Sequence, residues 1–311
     1  MPVGANLLFG EDADIWVEAA EAAEKGGADI LEMNLSCPMY STKGVYLFND
    51  LDKTTEVIKA VRSSTGLPIM AKLHACLSSY ELKQLAVTVV EAGADAISVT
   101  NIFRGLVGVD IETGIPMATE IDVSGKLRGP VSVFSGPAIK PFGLRAVAEI
   151  ASVVDVPVSG VGGITNWKSA VEYMMLGATT VQVGMGAMLF GYDLVQEMVS
   201  GLRKFMERKG YQSLEDFIGI SHSKVIGIGE NMDFAPSDLK RRNVVDETLC
   251  NGCGLCVKGC LANARGAMQM IDGVAVIDRG LCYGCNVCRI VCPQGAIREE
   301  KEEIWIGASG A

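Results

Sequence analysis

Eight cysteines near the carboxyl end of the chain stand at a spacing that suits metal clusters. They form two runs, Cys250-x2-Cys253-x2-Cys256-x3-Cys260 and Cys282-x2-Cys285-x2-Cys288-x3-Cys292. In bacterial proteins with this spacing, three cysteines of one run and the fourth of the other hold each 4Fe-4S cluster. The sequence therefore predicts two 4Fe-4S clusters, one bound by Cys250, Cys253, Cys256 and Cys292 and the other by Cys282, Cys285, Cys288 and Cys260.

Zinc and disulfide bonds are the alternatives for these cysteines. A zinc site takes four ligands in paired Cys-x2-Cys units, whereas each run here has four cysteines in tandem, which favours clusters. Disulfide frameworks are typical of small secreted chains, and this chain has 311 residues. Metal clusters are the better interpretation of the pattern.

Polar and reactive side chains follow three apolar segments in the first half of the chain. Asn34, Ser36 and Cys37 follow the first of these, Lys72 ends the second and Asn101 follows the third. The carboxyl ends of parallel strands meet at one rim of a barrel, where barrel enzymes carry out their chemistry. A single thiol is more often an inert core residue, but its neighbours at this rim favour a chemical role for Cys37.

Two clusters of glycine lie further along the chain. Gly162 and Gly163 follow a predicted strand, and Gly184, Met185 and Gly186 follow the next. In a barrel, the loops after the last two strands commonly bind phosphate through backbone amides. Either cluster alone could simply make a tight turn, but the two together favour a phosphate site.

The elements that would position these residues alternate between strand and helix. Candidate strands lie near residues 2–8, 29–35, 68–73, 95–100, 156–160 and 179–184, which is the alternation of a parallel α/β fold. A TIM-type (β/α)8 barrel has eight strands, so we expect a barrel that lacks about two strands at its front. We place this partial barrel at residues 1–220, a linker at 221–243 and an α+β ferredoxin domain with two clusters at 244–311.

Local signals support these elements. Helical segments end at Gly27, Gly93 and Gly177, each followed by alanine and a short apolar strand. The segment 167–175 carries an apolar stripe at helical spacing, which predicts core packing and not a cofactor site. Its members are Trp167, Ala170, Val171, Met174 and Met175.

Composition narrows the classes of function. The net charge is -10 and the isoelectric point is about 4.9, which argues against a nucleic-acid surface because such surfaces need clustered Lys and Arg. No apolar stretch reaches the roughly 18 residues that a membrane span needs, and the first residues lack the basic start of a signal peptide. We expect a cytoplasmic protein without nucleic-acid or membrane partners.

Several short motifs accompany the cysteine runs. They are Asn34-Leu35-Ser36-Cys37-Pro38, Ala71-Lys72-Leu73, Thr100-Asn101, Ser135-Gly136-Pro137-Ala138-Ile139-Lys140-Pro141 and Gly162-Gly163-Ile164. Together they resemble the portion of the dihydropyrimidine dehydrogenase family that carries FMN and iron-sulfur clusters. The likeness is greatest to the bacterial pyrimidine-reducing subunit, is weaker to class 1 dihydroorotate dehydrogenases, and extends over nearly the whole chain.

The resemblance implies a role for each rim residue. FMN would be held by Asn34, Ser36 and Lys72, and its phosphate by amides near Gly162, Gly163, Gly184 and Met185. Reduced FMN would pass a hydride to one carbon of an activated C=C bond, and Cys37 would protonate the other as general acid. Asn34, Asn101 and Ile102 would contact a small-molecule substrate. Electrons would come from a flavoprotein partner that oxidises NAD(P)H.

Three departures from the family keep alternatives open. The first two strands are absent, with a lysine that completes the FMN pocket; Ile102 replaces a threonine; and residues 39–50 lack a glycine-rich lid. The expected substrate is uracil or thymine, with a non-pyrimidine enone or amide as an alternative. Another alternative is an electron-transfer subunit with a non-catalytic barrel. We expect Met1 to be an internal residue of a longer chain, and we expect an oligomer whose second chain covers the open strand edges.

Overall fold

The computed structural model describes residues 2–36, 47–117, 120–121, 127–128, 132–225, 243–262, 266–282 and 284–299. The chain divides into two compact units, Met1–Val225 and Ile226–Ala311. Most of the predicted linker, residues 226–242, lies outside the described residues.

The first unit alternates strands with helices. Its strands are β1 (Gly4–Leu7), β2 (Ile30–Asn34), β3 (Ile69–Leu73), β4 (Ala96–Val99), β5 (Phe103–Gly105), β6 (Glu120–Ile121), β7 (Leu127–Arg128), β8 (Ser132–Phe134), β9 (Val158–Val161) and β10 (Thr180–Gln182). Its helices are α1 (Ala13–Lys25), α2 (Leu51–Ser64), α3 (Ser79–Glu91), α4 (Lys140–Ala151), α5 (Trp167–Met175), α6 (Met185–Phe190) and α7 (Asp193–Lys209).

Six of these strands form one parallel sheet in the order β1-β2-β3-β4-β9-β10. All six strands predicted from the sequence are confirmed, and they pair only in parallel. A TIM-type barrel closes eight such strands. The sheet is therefore a partial barrel that lacks two strands, as predicted. The remaining strands form two short antiparallel pairs, β5 with β8 and β6 with β7.

Side-chain caps fix where the helices begin. The side chains of Asp12, Asp50 and Asn166 accept hydrogen bonds from backbone amides in the first turns of α1, α2 and α5. Ser78 and Glu81 form a reciprocal capping box at the start of α3. Such caps satisfy amides that have no partner within the helix, and each stabilises the helix by about 1 kcal/mol.

The core lies between the sheet and the helices. Along β2, Leu31 and Met33 are completely buried on the helix side, while Glu32 and Asn34 point to the opposite face because side chains alternate along a strand. The predicted stripe on α5 is confirmed, since Ala170, Val171 and Met174 are buried and Trp167 and Met175 pack beside them. Complete burial of one such large apolar side chain contributes about 1.5–3 kcal/mol.

The second unit is a small α+β fold. It contains β11 (Asn243–Val245), α8 (Leu255–Ala262), β12 (Met268–Ile271), β13 (Val274–Ile277), α9 (Val287–Ile290) and β14 (Ile297–Glu299). β11 pairs with β14 and β12 with β13, both antiparallel. Its buried cluster is Cys256, Met268, Ala275, Cys288 and Ile297.

Within the described ranges of both units, no helix is long and apolar enough to cross a membrane.

Packing around Tyr173 gives a test of the barrel core. A methyl group at Gly160 would lie 2.5 Å from the Tyr173 Cδ1 atom, and the Tyr173 side chain is completely buried. We expect Gly160→Ala to lower the free energy of unfolding by about 1–3 kcal/mol, because overpacking forces side chains off their rotamers.

Gly66→Ala is the matched control, since no atom lies within 4 Å of a methyl group built there. It should leave stability within about 0.5 kcal/mol of the wild type. Urea unfolding followed by the fluorescence of Trp16 and Trp167, both in the first unit, measures the two variants. Equal stability of the two would contradict the packing described here.

Candidate functional site

Three polar side chains from β2 and β4, which flank β3, meet at the carboxyl end of the sheet. The Asn101 Nδ2 atom, beyond β4, donates to Asn34 Oδ1 at 2.9 Å and to Ser36 Oγ at 3.0 Å. Ser36 lies just beyond β2 and is 1% exposed. The predicted convergence of Asn34, Ser36 and Asn101 is therefore present in the structure.

The hydrogen bonds of this group leave one donor free. Asn101 Oδ1 accepts from the Ile102 amide at 2.8 Å, so both ends of the Asn101 side chain are bonded within the protein. Asn34 uses its Oδ1 atom, whereas its Nδ2 atom has no partner in the part of the chain that the structure describes. At this rim, Asn34 is thus a donor available to a ligand, and Asn101 holds it in place.

His74 supports the same rim from behind. Its Nδ1 atom accepts from the Cys76 amide at 3.0 Å, and its Nε2 atom lies 2.7 Å from the Ile102 carbonyl. Because Nδ1 is an acceptor, the proton is on Nε2 and is donated to Ile102. Burial lowers the pKa of His74, and the hydrogen bond to Ile102 opposes this only in part. A neutral His74, packed against Phe103, thus fixes the backbone of Ile102.

A buried carboxylate that the sequence analysis did not single out lies within the barrel. Glu32 on β2 accepts from Ser98 Oγ at 2.7 Å and from Gln182 Nε2 at 2.8 Å. It also accepts from Asn6 and from Lys72, whose Nζ atom is 3.4 Å away. These donors lie on β1, β3, β4 and β10, so their side chains point into the concave face of the sheet. Glu32 stands two residues before Asn34 on the same strand, so the two side chains lie on the same face. This spacing could have identified Glu32 as a site residue from the sequence.

The charge on Glu32 is held by its neighbours. Burial would raise the pKa of its carboxyl group, but the Lys72 ammonium and hydrogen bonds from Gln182, Ser98 and Asn6 together lower the pKa below its ordinary value. Lys72, which the sequence analysis assigned to flavin, is 14% exposed at its side chain and faces this carboxylate. The two charges therefore form a partly buried ion pair in the barrel interior.

The glycine loops lie close together. A methyl group built at Gly163 would lie 2.9 Å from the Gly136 carbonyl, and one built at Gly186 would lie 2.5 Å from the Ile164 carbonyl. Gly162 and Gly163 have φ angles of 113° and 68°, which favour glycine. The loop after β9 and the start of α6 thus lie close together, and the phosphate site assigned to them from the sequence stays a prediction.

Backbone amides on this surface are free to donate. Tyr173 donates its hydroxyl to the Gly162 carbonyl at 2.7 Å. Because carbonyl and amide point in opposite directions across a trans peptide, the Gly163 amide faces away from Tyr173. Among the residues with described positions, the amides of Gly163, Gly184 and Met185 have no partner. Such unpaired amides are what an anion needs.

Cys37 lies outside the described residues, in the range 37–46. Its assignment as a general acid stays a prediction. Ile102 is half-buried beside Asn101.

Comparison with known proteins identifies the barrel. The family model described as "Dihydroorotate dehydrogenase" matches residues 6–206. The chain belongs to the dihydroorotate dehydrogenase family. A second model, described as a "4Fe-4S binding domain", matches residues 275–298, which include the second cysteine run.

Individual relatives agree with the match to the dihydroorotate dehydrogenase family. The chain is 30% identical over 269 residues to the NAD-dependent dihydropyrimidine dehydrogenase subunit PreA of Escherichia coli (strain K12), covering 84% of this chain and 62% of the relative. It is 36% identical over 214 residues to the catalytic subunit of dihydroorotate dehydrogenase B (NAD(+)) of Pyrococcus furiosus, covering 69% and 67%. The chain thus spans about two thirds or less of the length of these relatives.

In this family member the second unit contains two pockets with four cysteines each. One is lined by Cys250, Cys253, Cys256 and Cys292. The other is lined by Cys260, Cys282, Cys285 and Cys288. Each set is one of the two ligand sets predicted from the spacing.

The cysteine pockets differ from a site for one ion. Across the described ranges, no three His, Cys, Asp or Glu side chains are grouped closely enough to hold a single metal ion. A zinc ion needs its sulfurs about 2.3 Å away, whereas a four-iron cluster takes its cysteines at its outer corners. Burial raises the pKa of Cys288 to about 11 and also raises that of Cys256.

The barrel carboxylate gives a pH-dependent test. Because folding lowers the pKa of Glu32, its contribution to stability is present above the ordinary carboxyl value of 4.5 and is lost as the pH falls through the lowered value. We expect Glu32→Gln to lower the free energy of unfolding at pH 7 by about 1–3 kcal/mol, because an NH2 group replaces one of the two acceptor oxygens and the charge that pairs with Lys72 is lost. The difference from the wild type should shrink below pH 4.5.

Glu56→Gln is the control for this substitution. Glu56 pairs with Lys53 on the surface of α2 and its side chain is 56% exposed, so its loss should change stability little at any pH. Urea unfolding of both variants between pH 7 and pH 3 makes the comparison. A Glu32→Gln profile parallel to that of the wild type would contradict the ion pair.

Proposed function

We propose that this chain is an FMN- and iron-sulfur-dependent oxidoreductase that reduces an activated C=C bond, with the 5,6 double bond of uracil or thymine as its expected target. The observation that carries the proposal is the rim at which Asn34, Ser36 and Asn101 meet beside Lys72. The names of the relatives, which are dehydrogenases of dihydropyrimidine and dihydroorotate, support the same reaction class.

The residues present fit FMN. The free Nδ2 atom of Asn34 and the Lys72 ammonium would face the flavin ring. The unpaired amides of Gly163, Gly184 and Met185 would hold its phosphate, with Gly162 shaping the loop. When bound, FMN supplies hydride-transfer chemistry.

The protein's own groups would complete the reaction. One carbon of the double bond accepts a hydride, and the Cys37 thiol gives a proton to the other carbon, so that two electrons and two protons are added in all. Asn101, fixed by Ile102 and Ser36, would position Asn34 against the amide edge of the ring. Ser36, which directly precedes Cys37 in the sequence, is held by Asn101.

Electrons would reach the barrel through two 4Fe-4S clusters in the predicted domain 244–311, held in the pockets that Cys256 and Cys288 line. Their source would be a flavoprotein partner that oxidises NAD(P)H. Because this chain covers 62% of the length of the PreA subunit, we propose the flavoprotein partner and an oligomeric assembly for the whole protein. A linker at 221–243 would join the barrel, residues 1–220, to the cluster domain.

Ile102 favours a second substrate class. In the resembling enzymes, a threonine at this position forms a hydrogen bond to the pyrimidine, and an isoleucine side chain cannot form it. A site without that hydrogen bond rejects substrates that lack the matching polar group less strongly. A conjugated enone or amide with an apolar substituent is therefore the runner-up.

Cofactor and activity measurements on the anaerobically purified full chain test the proposal. We expect about eight irons per chain, four for each cluster, and one FMN, with reduction of uracil or thymine by a chemical electron donor. Orotate and enones assayed in parallel separate the other substrates. Full iron content without bound FMN would refute the enzyme and leave an electron-transfer subunit.

Cys37→Ala tests the general acid. We expect at least a 100-fold loss of turnover, because general acid catalysis typically contributes 10²- to 10⁴-fold, with FMN and iron content unchanged. Cys76→Ser is the matched control, since Cys76 is an exposed thiol without a role in the proposed chemistry, and it should keep wild-type turnover. Equal activity of the two variants would remove Cys37 from the mechanism.

A further inference from the structure

A buried asparagine lies against one of the two cysteine pockets. Asn243 is the first residue of β11 and is 2% exposed. Its Nδ2 atom lies 3.6 Å from the Cys288 sulfur, within hydrogen-bonding range for a sulfur acceptor. Its Oδ1 atom is buried and has no partner among the residues that the structure describes.

This orientation of the amide is the favourable one. An amide N–H group directed at a thiolate sulfur is attractive, whereas an amide oxygen in the same place would be repelled. The Asn243 side chain therefore donates a hydrogen bond to a cluster ligand. Hydrogen bonds to the sulfurs are one of the features that set the potential of an iron-sulfur cluster.

The other pocket has no such donor at the equivalent position. Asn243 stands seven residues before Cys250, and Ala275 stands seven residues before Cys282. Asn243 lines the pocket of Cys288, and Ala275 lines the pocket of Cys256. At this equivalent position, the pocket of Cys288 therefore has a side-chain amide and the pocket of Cys256 has a methyl group.

The rest of the two linings is closely matched. Val245 and Ile277 stand five residues before the first cysteine of each run and line opposite pockets. The Ala296-Ile297 pair of one pocket corresponds to the Ala267-Met268 pair of the other, and all four are buried. The buried aliphatic parts of the two linings are therefore alike, while Asn251 and Gln294 also line the first pocket and Asn286 the second.

Backbone donors do not remove the difference. Cys256 and Cys288 each accept from the amide of the following residue, Val257 or Arg289. Cys256 is also close to its own amide, but a bond within one residue is strongly bent and weak. In the described residues lining the first pocket, no side-chain amide donates to a cysteine sulfur, and Asn251 uses its oxygen to accept from Cys253.

Stability alone does not explain an asparagine here. A buried amide oxygen that finds no partner among the described residues is destabilising, and the alanine of the other half fills the same position without that cost. The Asn243 amide group is directed at the Cys288 sulfur, where its N–H group stabilises negative charge on that sulfur.

We propose that Asn243 raises the reduction potential of the cluster held by Cys260, Cys282, Cys285 and Cys288 above that of the other cluster, an inference that rests on the proposed pair of clusters. Reduction adds one negative charge to a cluster, and a donor at a ligand sulfur stabilises that charge. The first electron supplied by the flavoprotein partner would therefore reside on this cluster.

Redox titration of the full chain, followed by electron paramagnetic resonance, tests this assignment. We expect two distinct potentials in the wild type. Asn243→Ala gives the second pocket the residue that the first pocket has at this position. It should lower the equilibrium constant for reduction of the higher-potential cluster about tenfold, which lowers that potential by about 59 mV for one electron. The other potential should stay unchanged, whereas a general disturbance of the fold would move both.

Ala275→Ser is the reciprocal variant. It adds a small donor beside the Cys256 pocket and should raise the lower potential while leaving the higher one in place. Unchanged potentials in Asn243→Ala at full iron content would overturn the inference. If that variant loses iron, an unchanged lower potential in Ala275→Ser would overturn it instead. A wild-type chain with fewer than about eight irons would refute the proposed pair of clusters itself.

Discussion

The carboxylate of Glu32 connects more of the barrel than any other side chain described here. Its donors come from β1, β3, β4 and β10, so the two outer strands of the sheet are bonded to one residue on β2. A sheet of six strands leaves its concave face open, and a buried charge there is tolerated only when it is paired and hydrogen-bonded. Lys72 and the neutral donors meet that requirement, and they bond four strands to β2, the strand at whose end Asn34 and Ser36 lie.

Rigidity of the rim follows from the layers behind it. Asn101 is bonded at both ends of its amide, and His74 holds the neighbouring Ile102 carbonyl. On the other side of the sheet, Tyr173 fixes the Gly162 carbonyl and so directs the amide of Gly163. Functional groups that are held by second partners keep their geometry without a ligand, which lowers the entropy lost when a ligand binds.

The small second unit reaches its function by a different route. Two similar halves give two similar apolar pockets, in which buried thiols such as Cys288 disfavour the charged form until a cation binds. A cluster bound to these cysteines would contribute to the stability of the unit. Against this near-symmetry, Asn243 in place of alanine adds one hydrogen bond at one sulfur, and hydrogen bonds to the sulfurs are one of the features that set a cluster potential.

Much of this protein could be predicted from the sequence because its signals are local. The six strands followed from apolar segments between helix-ending glycines, and the cysteine sets followed from spacing alone. The rim residues were predicted because parallel strands end at one edge. Glu32, His74 and Asn243 were not, since their importance depends on partners 26 to 150 residues away in the chain. The sequence by itself determined the elements and the ligand types. Only the tertiary structure decided which buried polar groups meet, because burial and pairing are properties of contacts between distant segments.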